Sequence, residues 1–194
     1  MFKFLVLFSA FIFAQKPSLS AEKFQENLNS SFADSLKTPL TAEDFKNFKG
    51  LDFFPIQEKY IVKAQFIRTK KEKKFGMKTT TDRLPQYKKY GQLHFEIDAI
   101  PFQLNVYQNL DLIKKEGYEN YLFLPFYDEN SGKETYIGGR YLDLQIQEGK
   151  EWIIDFNKAY NPYCAYNYKY SCPIVPQENE LKIAINAGVK KFHD

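Results

Sequence analysis

The sequence is short of the residues that carry most metal and nucleophile chemistry: two cysteines, two histidines and one tryptophan in 194 positions. A structural zinc site takes four Cys or His ligands, and two cysteines without clustered histidines do not supply them. A cysteine nucleophile needs a base beside it. The histidines are His94, on the solvent face of a predicted strand, and His193, at the frayed end of the chain. No loop has the spaced acids of a calcium loop, although Asp128, Glu134 and Asp155 are oxygen ligands in kind. Gly138-Gly139-Arg140 is not a dinucleotide fingerprint, because no helix is predicted to follow it. No metal and no cofactor is therefore expected. The chain also lacks internal repeats, low-complexity linkers and, after its first residues, any apolar run long enough to span a membrane.

Those first residues form a pattern of their own. Met1-Phe2-Lys3 is a short positive start, residues 4–14 are apolar apart from Ser9, and small and polar residues follow over 15–21. This order reads as a secretory signal, residues 1–20, ahead of one β-rich domain at 21–194. Cleavage after Ala14 and near Ser20-Ala21 both suit the pattern. The blander reading is a buried N-terminal helix. No cysteine sits at either site, so the usual lipoprotein anchor is missing, and the expected location is periplasmic or secreted in a bacterium. Loss of Lys3 and Lys16 with the signal takes the formal charge from +3 to +1. Net charge then favours no particular partner, and no nucleic acid is expected. The oligomeric state is not legible.

What the chain has in quantity is aromatic surface, with 19 Phe and 14 Tyr. Side chains this large offset ordering entropy by burial, which excludes disorder. Phe24, Leu28, Phe32 and Leu36 recur every four residues, the stripe of a helix that Pro39 ends. Thr41 caps a short second helix with Glu43 and Asp44 in its first turn. Phe45 and Phe48 share a face of that helix, and Gly50 stops it. From Tyr60 the period becomes two. Alternation over 60–67, 92–98, 102–107, 142–147 and 181–186 predicts half-buried strands, and the apolar run 121–126 predicts a strand buried on both faces. Residues 98–101 and 148–150 suit hairpins. The expected fold is mainly β: about seven or eight mostly antiparallel strands, closed as a small barrel or stacked as a sandwich, with one or two N-terminal helices.

Residues 63–89 hold ten basic residues and two acids, Glu72 and Asp82. They read as a solvated hairpin edge, where lysines block edge-to-edge pairing. The alternative is a surface for anionic envelope polymers or lipid head groups.

Beyond Leu122 the composition changes. Asp128, Glu134, Thr135, Arg140, Asp155, Asn157, Asn161, Glu178 and Asn179 crowd together, and five of the tyrosines lie within 160–170. Over these residues the chain resembles the domain of unknown function 1684 family. The phrases PFYDENSGKETYIGGRYLDL, DFNKAYNPYCAY and SCPIVPQENELKIAINAG carry the likeness, in order and at the family's spacing. The likeness spans residues 45–192 and implies a signature without an assigned activity. The chain departs from the family at Val189, where an acid is usual, and at Ile137, where glycine is usual.

Several residues here are candidates for function. Arg140 offers a planar fork for a carboxylate, either a ligand's or an internal one such as Asp155 or Glu178. Asp155, on the face of a predicted strand beside Ile153, needs partners if covered. It is either a catalytic acid or base or an anchor for the loop that follows. Candidate acid/base groups are Asp155, Glu178 and Glu134. Candidate binding groups are Arg140, Asn157, Tyr160, Asn161, Tyr163 and Asn179, lining a Tyr- and Asn-rich pocket within 134–179 for a small polar ligand or envelope component. Gly138-Gly139 reads as a bulge or tight turn. Cys164 and Cys172, in one Pro-bounded loop of an exported chain, are expected to form a disulfide contributing roughly 2–3 kcal/mol. Three functions compete: a binding module, a hydrolase using a carboxylate pair, and a structural or partner-binding envelope protein. A brace would show the signature side chains bonded to one another.

Overall fold

The computed structural model describes residues 20–193. Of the segment read as a signal, only Ser20 lies among them. Helix α1 (Ala21–Ala33) opens on Ser20, whose Oγ accepts from Lys23 N at 3.3 Å. Phe24, Leu28 and Phe32 form the expected stripe, and Phe32 is buried against Tyr166. The helix stops at Ala33, so Leu36 does not join the stripe and is exposed. Asp34 accounts for the early stop: its carboxylate takes the Leu36 N–H at 2.9 Å, a local turn that competes with the helix. Helix α2 (Ala42–Asn47) has the expected Thr41 cap, accepting from Asp44 N at 3.1 Å.

The fold class is the expected one: a single antiparallel sheet of seven strands, curled into a half-barrel, with two N-terminal helices. The strands are β1 (Ile61–Arg68), β2 (Lys74–Gly76), β3 (Gln86–Ile97), β4 (Ile100–Asn109), β5 (Tyr121–Phe126), β6 (Arg140–Gln145) and β7 (Glu151–Asp155). They run in the order β6-β5-β4-β3-β1-β7, with β2 added to β3. The 98–101 hairpin forms, and Asp98 and Ala99 take the left-handed backbone of a two-residue turn without a glycine.

Residues 148–150 make no hairpin. β6 and β7 are the two edges of the sheet, so this link crosses from one edge to the other. A connection this short bridges at most roughly 20 Å, which is why the sheet must curl. Gln147 ties the gap: its side chain accepts from Ile153 N at 2.9 Å and donates to Ile153 O at 3.1 Å. Residues 181–186 are not a strand either. Leu181 and Ile185 are buried, but their backbone meets β5's end and Asp128 rather than a neighbouring ladder. The basic stretch holds the short exposed strand β2, paired along the β3 edge.

One face of the sheet packs Leu93, Leu104, Leu122, Leu124, Leu142, Trp152 and Ile154 inside the curl. The other face of β4–β5 carries Tyr107 and Phe123, which pack with Met77, Tyr87, Tyr141 and Val175 under the long C-terminal loops. β5 is therefore covered on both sides, as its unbroken apolar run predicts, and Leu122, Phe123, Leu124 and Phe126 are all buried. Fully burying a side chain of this size contributes about 1.5–3 kcal/mol, so β5 anchors both layers.

Candidate functional site

The signature builds a brace. Gly139 has φ +80°, and a Cβ there would lie 2.6 Å from Phe126 O, so only glycine makes this turn into β6. The turn aims Arg140 into the curl, where it is completely buried. Its guanidinium donates to Asp128 Oδ2 at 3.0 Å, Ile185 O at 2.9 Å, Val189 O at 3.4 Å and Ala187 O. Burial lowers the Arg140 pKa and Asp128 opposes the shift. The internal carboxylate is thus Asp128, and not Asp155 or Glu178: the turn points Arg140 toward the 185–189 segment. Asp128 Oδ2 also accepts from Ile185 N at 2.8 Å. Gly188, at φ +76°, closes the clamp, its would-be Cβ lying 2.5 Å from Ala159 O.

The three asparagines of the candidate pocket are buried in the same frame. Asn179 accepts from Asn105 N at 2.8 Å and donates to Asn105 O at 2.8 Å and Pro125 O at 2.7 Å, joining β4 to β5. Asn157 exchanges hydrogen bonds with Gln57 N and O, both at 3.0 Å. Asn161 donates to Lys190 O at 2.8 Å. Each is bonded to backbone, although Asn161 Oδ1 is buried without a partner, so these amides hold loops rather than face a ligand.

The candidate acids are dispersed. Asp155 accepts from Asn157 N at 3.1 Å and pairs with Lys158 at 3.4 Å, the loop-anchoring role. Glu178 accepts from Tyr107 Oη at 3.0 Å. Glu134 is exposed, and its backbone carbonyl receives Lys191 N. β7, with Asp155, lies three strands from β4, with Tyr107 and its partner Glu178, so these two carboxylates do not converge.

The structure instead assembles a carboxylate and tyrosines that alternation alone concealed. Asp143 lies opposite Phe123 on the outer face of β6. Its Oδ1 accepts from both Tyr121 Oη and Tyr160 Oη, each at 2.7 Å. Tyr160 is held there because its backbone pairs reciprocally with Tyr141. Tyr141 sets its ring edge-on to Tyr160, with centroids 5.9 Å apart. Burial among these side chains raises the Asp143 carboxyl above the usual range, and the two phenol hydrogen bonds oppose it. Yet Asp143 is exposed by its accessible surface. Surface contact with water limits such a shift, so the group is a hydrated carboxylate beside two tyrosines, not a dry one. Desolvation likewise raises Tyr121 and Tyr160, so both phenols keep their protons.

Of the sequence candidates, Tyr160 reaches Asp143; Arg140 and the asparagines are bonded elsewhere in the frame. Asp143 and Tyr121 were hidden because Asp143 reads as the polar half of an alternating strand. The signal that finds it is the neighbouring run 121–126: a strand covered on both faces implies that the outward side chains of its partner are bordered too.

Cys164 and Cys172 are free thiols in contact, the Cys164 N–H donating to Cys172 Sγ at 3.1 Å. The hydrogen bond from Cys172 lowers the Cys164 thiol to about 7, and Cys172 is correspondingly raised. Among the described residues no three His, Cys, Asp or Glu side chains gather as a metal set, and no helix is long and apolar enough to cross a membrane.

A family model described as a protein of unknown function, DUF1684, matches residues 46–190. The chain is also similar to the solution NMR structure of an uncharacterized protein from Haloarcula marismortui. The two share 29% identity and a TM-score of 0.68, over 86% of this chain and 89% of that one. No curated protein matches.

Proposed function

We propose, from the premise that the chain belongs to the DUF1684 family, that its signature is a frame and that the frame presents a binding site at Asp143, Tyr121 and Tyr160. On this reading the protein is an exported β domain that holds a small polar ligand at that carboxylate. The observation that carries it is an accessible carboxylate with the phenols of Tyr121 and Tyr160 hydrogen-bonded to one oxygen and the other oxygen open. Ligand sites commonly combine apolar aromatic walls with a few oriented polar groups. Hydrolysis by a carboxylate pair has no such support, since Asp155, Glu178 and Glu134 stand apart. The test is a thermal-shift screen of the mature protein against sugars, amino acids and amines. A ligand of the site raises the melting temperature of the wild type through linkage and leaves Asp143→Asn unmoved. A screen in which every hit stabilises both proteins equally would remove the site.

Export rests on the order of charge, apolar run and small residues before Ala21. The Ser20 cap supports cleavage after Ala14. Cleavage at Ser20-Ala21 would remove the cap and set a positive amino group at the helix N-terminus, where the macrodipole disfavours it. Intact mass of envelope-derived protein should begin at Gln15. A chain that retains Met1 in the cytoplasm would contradict export.

A further inference from the structure

We infer that the group bound at Asp143 is a primary ammonium. The inference rests on the site proposed above and comes from counting its donors and acceptors. Both phenol protons, from Tyr121 and Tyr160, are committed to Asp143 Oδ1. Asp143 Oδ2 makes no hydrogen bond among the described residues, and no basic side chain there pairs with the carboxylate. What Asp143, Tyr121 and Tyr160 offer outward is therefore acceptors alone: Oδ2 and the remaining lone pairs of the two phenol oxygens. A phenol oxygen that donates its proton still accepts, whereas an ammonium has three donors and no acceptor. The match is one of type and number.

Charge points the same way. The carboxylate has no counter-ion among the described residues, and the two tyrosines that donate to it, Tyr121 and Tyr160, stand beside it. Ring faces carry negative potential and attract a cation. A carboxylate or phosphate ligand would meet like charge and no donor from these three side chains. A hydroxyl can donate only once and would leave acceptors of the site unanswered. The carbon bearing the ammonium would rest against the partly exposed rings of Tyr121 and Tyr160, whose hydroxyl protons are already committed.

The same group is presented by a free small amine and by a lysine side chain. Butylammonium stands for the first and Nα-acetyl-lysine amide for the second, and the tighter of the two names the source. The experiment is a backbone-amide NMR titration of the mature protein with each, beside 1-pentanol as a neutral molecule of similar shape. The inference expects shifts at Tyr121, Asp143 and Tyr160, at least tenfold tighter binding of one ammonium probe than of 1-pentanol, and loss of that preference in Asp143→Asn. Thermal unfolding of the variant confirms that it is folded. If 1-pentanol binds these residues as tightly as either ammonium, the ammonium assignment fails while the site stands. If none of the probes moves these residues and the thermal-shift screen also yields no hit lost in Asp143→Asn, both fail. If none moves them but such a hit exists, only the ammonium assignment fails.

Discussion

Arg140 and Asp128 meet at 3.0 Å with neither side chain open to solvent, and Asp128 Oδ2 holds Ile185 N at the same time. The pair is a clamp between the turn into β6 and the C-terminal segment. Breaking a buried pair strands the remaining charge. Asp128→Asn keeps the shape and removes only the charge. It should lower the unfolding free energy by about 3–5 kcal/mol, seen as a lower urea midpoint. An unchanged midpoint would mean that the clamp is not structural.

The turn feeding that clamp is equally exacting. Gly139→Ala places a methyl 2.6 Å from Phe126 O at a φ of +80°. A positive φ of this kind costs a non-glycine residue about 1–3 kcal/mol before any clash. Calorimetry should show a lower melting temperature. The same substitution at Gly149, where a Cβ would meet nothing within 4 Å although φ is +74°, should cost less.

Asp143 sets a pH dependence whose sign differs from that of a paired carboxylate. Its folded pKa is raised, chiefly by burial. Between the ordinary carboxylate value and this raised one, the folded state binds more protons than the unfolded state. The contribution to stability is therefore full below the ordinary value and is lost as pH rises through the folded value. Urea midpoints of wild type minus those of Asp143→Asn should fall from acidic toward neutral pH. A difference that rises with pH would show the carboxylate held ionised instead.

The thiols differ in reactivity by position. With Cys164 lowered to about 7 and Cys172 raised and buried, iodoacetamide should modify reduced protein at Cys164 first, with the rate rising through pH 7, because the thiolate is the nucleophile. We propose that in an oxidising compartment the two form the disulfide expected from their placement. Denatured, unreduced protein from that compartment should then label at neither cysteine. Labelling at both would leave them as a reactive or packing pair.

The period-two stretches were legible where the ladder decides them: β1, β3, β4 and β6 overlap predicted alternating runs, β5 matches the apolar run, and β7 the strand read beside Ile153. Residues 181–186 alternate for a different reason. Leu181 and Ile185 fill the open end of the curl while Asp128 and Tyr127 take their N–H groups. Alternation reports which side chains are covered, not what pairs with the backbone. The link at 148–150 looks like a hairpin because only the curl of the sheet, a property of all the strands together, brings β6 near β7. β2 is too short for a period to show. The signature stood out as a cluster of polar residues, but cluster and site differ: Arg140, Asn157, Asn161 and Asn179 are polar because they bond to backbone groups of distant segments. Asp143 carries no local mark, since its setting comes from Tyr121 and Tyr160, 22 and 17 residues away.

The central claim is that signature residues hold the frame while Asp143 serves binding, and paired urea unfolding of Asn179→Ala and Asp143→Asn tests it most directly. Asn179→Ala strands Asn105 N, Asn105 O and Pro125 O inside the protein, each unpaired group costing about 1–3 kcal/mol. Asp143→Asn keeps an acceptor for both phenols and removes a partly desolvated charge. The account predicts a large loss of stability for the first at pH 7 and none, or a gain, for the second. A tolerant Asn179→Ala beside a strongly destabilised Asp143→Asn would contradict it.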